Sequence, residues 1–242
     1  MKKVRIFVLV FMLFVSLPLT AYAKCPVKKE VDYVALGDSL AAGVTPYNQI
    51  GEGYPDYFVK RLKQSQYTVD YDNFAAPGAD STHLTGVLNN DLAQSNIEES
   101  EFITINIGAN DLLPLLDLEK QEYPSEREVA SVLAQLNQNI NHVFTKIDEL
   151  NPDTDVYMMG YYNPFPYQPE ELQPQLDVLL DSLNQVIQSA TAAYGHTYVP
   201  TEDVIERKYE SFLPNPSNIH LSEEGYEAIA REFWKKLDKS KN

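Results

Sequence analysis

Apolar residues along the chain alternate between short strand-like runs and longer stretches with helical spacing. Runs rich in β-branched and apolar residues predict five strands, at 31–36, 68–74, 102–107, 155–159 and 197–199. Apolar residues three to four positions apart predict helices over 54–64, 126–150 and 172–194, and a last helix from an N-cap at Ser222 to about Leu237. Strands and helices therefore alternate along most of the chain.

This alternation predicts an α/β fold. Strands separated by helices of this length pair in parallel, which indicates a three-layer α/β/α sandwich with a flavodoxin-like five-stranded parallel sheet. Ligands of such sheets lie beyond the carboxyl ends of the strands. We therefore expect the residues that follow Leu36, Phe74, Ile107 and Met159 to share one rim. The proline-rich stretch 161–174 is interpreted as a surface loop within a single domain over 24–242.

The first 23 residues have the pattern of a secretory signal peptide. Lys2, Lys3 and Arg5 precede a nearly unbroken apolar stretch over 6–19, and the segment Ala21–Ala23 places small residues where a signal peptidase cuts. The pattern predicts cleavage after Ala23, a secreted protein, and no stable membrane insertion afterwards. An uncleaved membrane anchor is the alternative, although the apolar stretch is short for a spanning helix.

Cys25 is the only cysteine, so no internal disulfide can form. A lipoprotein anchored through Cys25 is a second alternative to secretion. Lys24 stands where lipoprotein signals place a small residue, and this disfavours attachment of a lipid to Cys25.

Charge and composition exclude several classes of protein. The chain has 242 residues, 35 acidic side chains against 19 basic ones, and a formal net charge of −16. Such a surface repels phosphate, so nucleic acid is not expected as a partner. With 44% hydrophobic and 22% charged residues, the composition is that of a globular domain, not of a coiled coil or a multi-span membrane protein.

Two polar motifs follow the first two predicted strands. The segment Gly37–Leu40 contains Ser39 on a predicted strand-to-helix turn, where a hydroxyl can be exposed at the rim. A helix N-cap is the alternative interpretation of this serine. The segment Asn73–Ala79 contains Gly78, which can present its backbone N–H without a side chain in the way, or can belong to an ordinary turn.

Two further motifs follow the third strand and precede the last helix. Gly108–Asp111 contains Asn110, whose amide can donate to developing negative charge or can cap a helix. Asn218–Leu221 contains His220, a side chain suited to proton exchange near neutral pH. The other histidines, His83, His142 and His196, are interpreted as structural or solvated.

In this order and at these strand ends, the four motifs resemble those of the SGNH or GDSL family of serine esterases and lipases. The resemblance extends from about Val31 to the last helix, where His220 is followed by Glu224–Tyr226. It implies a carboxylic ester hydrolase with Ser39 as nucleophile and His220 as general base. It also implies an oxyanion hole formed by the backbone N–H groups of Ser39 and Gly78 and the side chain of Asn110. These residue types suit acyl transfer, because a serine hydroxyl needs a neighbouring base and the tetrahedral intermediate needs fixed donors.

The sequence departs from the family where an aspartate usually stands three residues before the histidine. Ser217 occupies that position, and Leu221 replaces the usual proline. Three interpretations remain open: Ser217 or a backbone carbonyl orients His220, a carboxylate such as Asp203 or Glu202 takes the role, or the enzyme is slow or inactive.

Two other classes compete with the esterase. The same fold could bind cell-surface glycan or lipid without catalysis, or it could bind phosphate, although Asp38 in the first loop repels phosphate. No His-x-x-x-His pair or cysteine cluster indicates a metal site, so neither metal nor cofactor is expected. The predicted partner is a small-molecule or lipid ester, with leucines over 112–118 as a candidate acyl-binding lip and a short to medium acyl chain.

Overall fold

The computed structural model describes residues 29–118 and 123–240. A five-stranded sheet forms its centre, with the strand order β2-β1-β3-β4-β5 and every pairing parallel. The strands are β1 (Lys29–Gly37), β2 (Tyr67–Asn73), β3 (Phe102–Asn106), β4 (Asp155–Met159) and β5 (Thr197–Val199). The predicted signal peptide over 1–23 and Cys25 lie outside the described residues.

Helices cover both faces of the sheet. They are α1 (Tyr54–Gln64), α2 (Ser81–Val87), α3 (Asp91–Glu99), α4 (Ala109–Leu112), α5 (Glu126–Leu150), α6 (Gln173–Ala193), α7 (Glu202–Glu206), α8 (Tyr209–Phe212) and α9 (Glu223–Ser240), with a 3₁₀ helix at Leu113–Leu115. One group consists of α1 packed on α9, and the other of α5 packed on α2, α3 and α6. The predicted three-layer α/β/α sandwich is therefore confirmed.

The core is densest around the central strand. All five residues of β3 are buried, and β1 is buried over most of its length, whereas the edge strand β2 exposes alternate side chains. A run of apolar residues predicts such a doubly covered parallel strand. Across the described part of the chain, no helix is both long and apolar enough to span a bilayer.

The predicted long elements are confirmed to within about three residues, but the connection after β1 differs. Residues 39–43 form a turn, and the next helix, α1, begins only at Tyr54. Ser39 is therefore not the N-cap of a helix. The short helices α2, α3, α7 and α8 were not predicted, since four to nine residues give too few turns for a clear period.

Gly37 allows the ends of β1 and β3 to approach each other. Its φ is +155°, and a Cβ at this position would lie 2.3 Å from Oδ1 of Asn106. Only glycine fits here, because any side chain would collide with the polar group that closes the neighbouring strand. The close approach brings Asp38 and Asn106 to the same rim of the sheet.

Candidate active site

Ser39 lies on the turn that follows β1, at the carboxyl end of the sheet. The turn is fixed by two backbone hydrogen bonds, from Ala42 N–H to the Asp38 carbonyl at 3.0 Å and from Val44 N–H to the Ser39 carbonyl at 2.9 Å. The residue is 8% exposed, so its hydroxyl is reached through a pocket and not across an open surface.

His220 comes from the opposite end of the sequence. It lies in the segment between α8 and α9, and its Nε2 is 2.9 Å from Oγ of Ser39, although 181 positions separate the two residues. Tyr162 steadies this segment by donating a hydrogen bond to the carbonyl of Ile219 at 3.2 Å. The structure therefore brings the predicted nucleophile and the predicted base into direct contact.

Asn218 provides the contact on the other ring nitrogen of His220. Its Oδ1 lies 2.7 Å from Nδ1 and also accepts a hydrogen bond from the His220 backbone N–H at 2.9 Å. An amide oxygen can only accept, so Nδ1 carries the proton. Nε2 is then left with a free lone pair that can accept the hydroxyl proton of Ser39.

The groups predicted to orient His220 do not do so. Ser217 is exposed, and its backbone N–H binds Oδ1 of Asn215 at 3.1 Å. Asp203 pairs with Arg207 on the surface at 3.3 Å, and Glu202 lies 3.4 Å from the amide of Asn184. The turn from Asn215 to Asn218 places Asn218, and not Ser217, beside the histidine ring.

Sequence reasoning missed Asn218, although a signal was present. The side-chain oxygen of an asparagine often accepts a hydrogen bond from the backbone N–H two positions further along the chain. Asn218 and His220 form such a turn. This turn places the amide oxygen beside the histidine ring.

The predicted oxyanion donors lie after β1, β2 and β3, at the carboxyl end of the sheet. Asn110 shares a pocket with Ser39, and one N–H of its amide donates to the carbonyl of Ala79 at 2.8 Å. Its second amide N–H has no acceptor in the part of the chain that the structure describes, so it can donate to an incoming oxygen. Within the described residues, the backbone N–H groups of Ser39 and Gly78 have no hydrogen-bond acceptor.

Gly78 follows β2 with a φ of +77°, and a Cβ built there meets no atom within 4 Å. A glycine is therefore favoured at position 78 by the backbone conformation and not by a lack of space for a side chain. Asp111 holds this loop from α4 by accepting the Ser81 backbone N–H at 3.0 Å and the Ser81 hydroxyl. The loop after β2 is in this way fastened to the residues that follow β3.

A buried carboxylate lies beneath the nucleophile. Asp38 is almost fully buried and accepts hydrogen bonds from Asn106 Nδ2 at 2.6 Å, Leu40 N–H at 2.9 Å and the Tyr161 hydroxyl. Burial raises its pKa from 3.8 to about 6, against the lowering effect of the three donors. No cation among the described residues pairs with this group.

The pKa of His220 is lowered from its ordinary value of 6.5 by burial. A carboxylate beside the ring would oppose this effect, but the neutral amide of Asn218 does not. The imidazole is therefore neutral at pH 7, which is the form that can accept a proton from Ser39.

An apolar pocket opens beside Ser39. Its walls come from α4 and the 3₁₀ helix, the loop after β4, and α6. The apolar side chains that line it include Leu112, Leu113, Leu116, Tyr162, Phe165, Leu176, Leu179, Leu180, Leu183 and Ile219. The cavity volume is about 80 Å³. The predicted lip thus contributes three leucines to a pocket that α6 completes.

The other histidines lie away from this site. His83 and His142 are exposed, while His196 packs edge-on against Phe144 and lies 3.5 Å from Asp148. Over the described ranges, no group of three or more His, Cys, Asp or Glu side chains is placed to hold a metal ion.

Comparison with known proteins shows where this chain belongs. It is 26% identical over 213 residues to the spore germination lipase LipC of Bacillus licheniformis, covering 84% of this chain and 94% of LipC. The solved structure of the lipase Lip_vut3 from a goat rumen metagenome shares the fold, with 24% identity and a TM-score of 0.73 over 86% of this chain and 96% of that one. Axe2, an acetylxylan esterase from Geobacillus stearothermophilus, shares it with 15% identity and a TM-score of 0.63 over 86% and 94%.

The family model for GDSL-like lipases and acylhydrolases matches residues 35–228. The match extends from β1 into α9 and includes all four motifs at the rim of the sheet. The resemblance inferred from those motifs is thus confirmed, and the chain belongs to the GDSL-like lipase/acylhydrolase family.

Proposed function

We propose that this protein hydrolyses carboxylic esters through an acyl-enzyme on Ser39, with His220 as general base. The observation that supports the proposal is the continuous contact from Ser39 Oγ to His220 Nε2, and from His220 Nδ1 to Asn218 Oδ1. A nucleophile, a base and a group that orients the base are the three parts that serine hydrolases require.

The first half-reaction follows from these contacts. Nε2 of His220 takes the hydroxyl proton while Ser39 Oγ attacks the ester carbonyl carbon. The negative charge that develops on the carbonyl oxygen is stabilised by the N–H groups of Ser39 and Gly78 and by the free amide N–H of Asn110. His220 then gives its proton to the departing alkoxide, which leaves as the alcohol.

The second half-reaction uses the same groups. His220 takes a proton from water, and the water oxygen attacks the acyl carbon. Collapse of the second tetrahedral intermediate returns the proton to Ser39 Oγ and releases the carboxylic acid. No group beyond these residues and water enters the proton balance.

The pocket beside Ser39 supports an acyl chain of short to medium length as the preferred substrate. Its lining is mainly aliphatic and aromatic, which favours a hydrocarbon tail over a sugar. Its volume of about 80 Å³ is roughly half that of an apolar cavity of about 150 Å³ that holds benzene. Such a space suits a tail of a few carbons, with a longer tail extending outward.

Export is the second part of the proposal. The signal pattern over 1–23 supports secretion with cleavage after Ala23. Expression of the full chain in a secreting bacterium, followed by N-terminal sequencing, tests this. A mature protein that begins at Lys24 supports export by cleavage, a lipid on Cys25 indicates a lipoprotein, and an intact N-terminus indicates an anchored protein.

The catalytic proposal is tested with p-nitrophenyl esters from acetate to decanoate, using the mature protein and Ser39→Ala. We expect activity that Ser39→Ala abolishes, with a maximum at butyrate to octanoate. A maximum at acetate would instead favour deacetylation, the type of reaction named for Axe2. Absence of turnover together with failure of a fluorophosphonate to label Ser39 would favour a non-catalytic protein that binds glycan or lipid.

A further inference from the structure

A short hairpin loop packs against the segment that carries His220. In this loop, over 44–50, Val44 and Ile50 form an antiparallel bridge, and Thr45 N–H donates to the Gln49 carbonyl at 2.8 Å. Asn48 lies at the tip with a φ of +58°. The loop is thus a defined turn that presents the side chain of Asn48 in a fixed direction.

Two side-chain hydrogen bonds join this loop to the histidine segment. Asn215 Nδ2 donates to the carbonyl of Pro46, and Asn218 Nδ2 donates to Oδ1 of Asn48, both at 2.8 Å. The second bond involves the same amide whose oxygen faces His220. A chain of contacts therefore runs from Asn48 through Asn218 and His220 to Ser39.

An amide in this role has a requirement that a carboxylate lacks. The two ends of the Asn218 amide differ, because one end only accepts and the other only donates. If the amide were reversed, its NH₂ group would face Nδ1 of His220. Nδ1 would then have to accept, Nε2 would carry the proton, and the ring could not take the proton of Ser39.

We propose that Asn48 is a positioning residue for the reaction at Ser39, because its Oδ1 holds the Nδ2 end of Asn218 and so keeps the Asn218 oxygen on His220. The amide is fixed from both ends, with its oxygen accepting from His220 Nδ1 and N–H and its nitrogen donating to Asn48. The inference rests on the proposed function. It assigns to an exposed loop residue a part in setting the histidine tautomer.

The positive φ of Asn48 makes a clean test possible. Glycine and aspartate both tolerate this conformation, so Asn48→Gly removes the side chain and Asn48→Asp keeps an acceptor oxygen without straining the turn. We expect Asn48→Gly to lower kcat about 10-fold with KM changed less than twofold, since one hydrogen bond to the amide is lost. Asn48→Asp restores most of that loss. The neighbouring exposed side chain provides the control, and Gln49→Ala leaves kcat unchanged.

A second background separates positioning from folding of the loop. In Asn218→Asp the two carboxylate oxygens are equivalent, so reversal of the group no longer matters. We expect Asn48→Gly to cost less than twofold in that background. An equal loss in both backgrounds, or no loss in either, would overturn the inference.

Ser39→Ala, measured alongside, keeps the two proposals distinct. Activity that disappears in Ser39→Ala but is unaffected by Asn48→Gly would contradict only the role of Asn48. Activity that survives in Ser39→Ala would contradict the proposed function itself.

Discussion

Asn218 holds His220 through a neutral amide, with its Oδ1 2.7 Å from Nδ1. In many serine hydrolases an aspartate makes this contact, and it both orients the ring and stabilises the imidazolium that forms during the reaction. An amide performs the first task and contributes little charge to the second. The site therefore has the geometry of a triad with a less basic histidine.

Replacing Asn218 by aspartate separates these two tasks. A carboxylate beside the ring favours the charged form of His220 and raises its pKa. His220 acts as a base only when neutral, so we expect the acidic limb of the kcat/KM profile to move to higher pH. We also expect kcat at pH 8 to rise about 10-fold. This gain is well within the loss of about 10⁴-fold in kcat that replacing the triad aspartate by asparagine causes in a serine protease.

Asn218→Ala and Ser217→Asp provide the matched comparisons for this pH profile. Asn218→Ala removes the orienting oxygen, and we expect a loss of about 10²-fold in kcat. Ser217→Asp adds a carboxylate one position away on an exposed side chain, and we expect its profile to overlay that of the wild type. A gain in Ser217→Asp but not in Asn218→Asp would show that the ring is oriented from a different direction.

Asn110 is expected to act mainly in the transition state. Asn110→Ala removes one donor to the developing oxyanion, so we expect kcat to fall about 10²–10³-fold with a small change in KM. The bond to the Ala79 carbonyl is lost as well, so thermal unfolding must be measured beside the kinetics. Asn89→Ala, which removes a surface amide on the loop after α2, is the control. Wild-type kcat in Asn110→Ala would remove Asn110 from the oxyanion hole.

The side of the pocket formed by α6 is expected to determine acyl length. Leu179 is half-buried and lines the pocket, so Leu179→Trp fills space that a tail would occupy. We expect the ratio of octanoate to acetate hydrolysis to fall about 10-fold. Val178 is adjacent but 63% exposed and outside this pocket, so Val178→Trp should keep the wild-type ratio. Equal ratios in all three proteins would mean that the acyl tail binds elsewhere.

Asp38 makes stability depend on pH. Its pKa is raised from 3.8 to about 6 in the folded protein, so the folded state binds this proton more tightly than the unfolded state. Its contribution to the free energy of unfolding is fully present below about pH 4 and is lost as pH rises through about 6. Asp38→Asn removes this dependence while preserving shape.

Urea unfolding at pH 4 and pH 7.5 measures the difference. We compare the free energy of unfolding of Asp38→Asn with that of the wild type. From pH 4 to pH 7.5, we expect this difference to shift in favour of Asp38→Asn by on the order of 2 kcal/mol. Asp203→Asn, on an exposed carboxylate, should show no such gain. A constant difference between Asp38→Asn and wild type at both pH values would show that folding does not raise the pKa of Asp38.

The sequence predicted the parts of this protein that repeat a strong pattern. β3 is a short apolar run and α5 a long amphipathic one, and both are formed where hydrophobic spacing predicts them. The pairing of Ser39 with His220 follows from the resemblance of their motifs to those of the family, since His220 precedes a helix and follows no strand.

Contacts made between loops were not predictable in this way. The direction of Asn218 depends on a turn within its own segment, and that of Asn48 on a hairpin far away in sequence. Hydrophobic periodicity carries no information about either, since both side chains act through hydrogen bonds outside regular structure. The turn that begins at Ser39 was not predicted for the same reason, because its backbone hydrogen bonds leave no apolar pattern in the sequence.

The distance of 181 positions between Ser39 and His220 also determines when the site forms. Proteins are synthesised from the N-terminus, and early segments can fold before later ones exist. Strands β1, β2 and β3 are complete by residue 106, whereas His220 precedes only the last helix, α9. A nascent chain thus carries its nucleophile long before its base, and the site can form only after residue 220 has been synthesised.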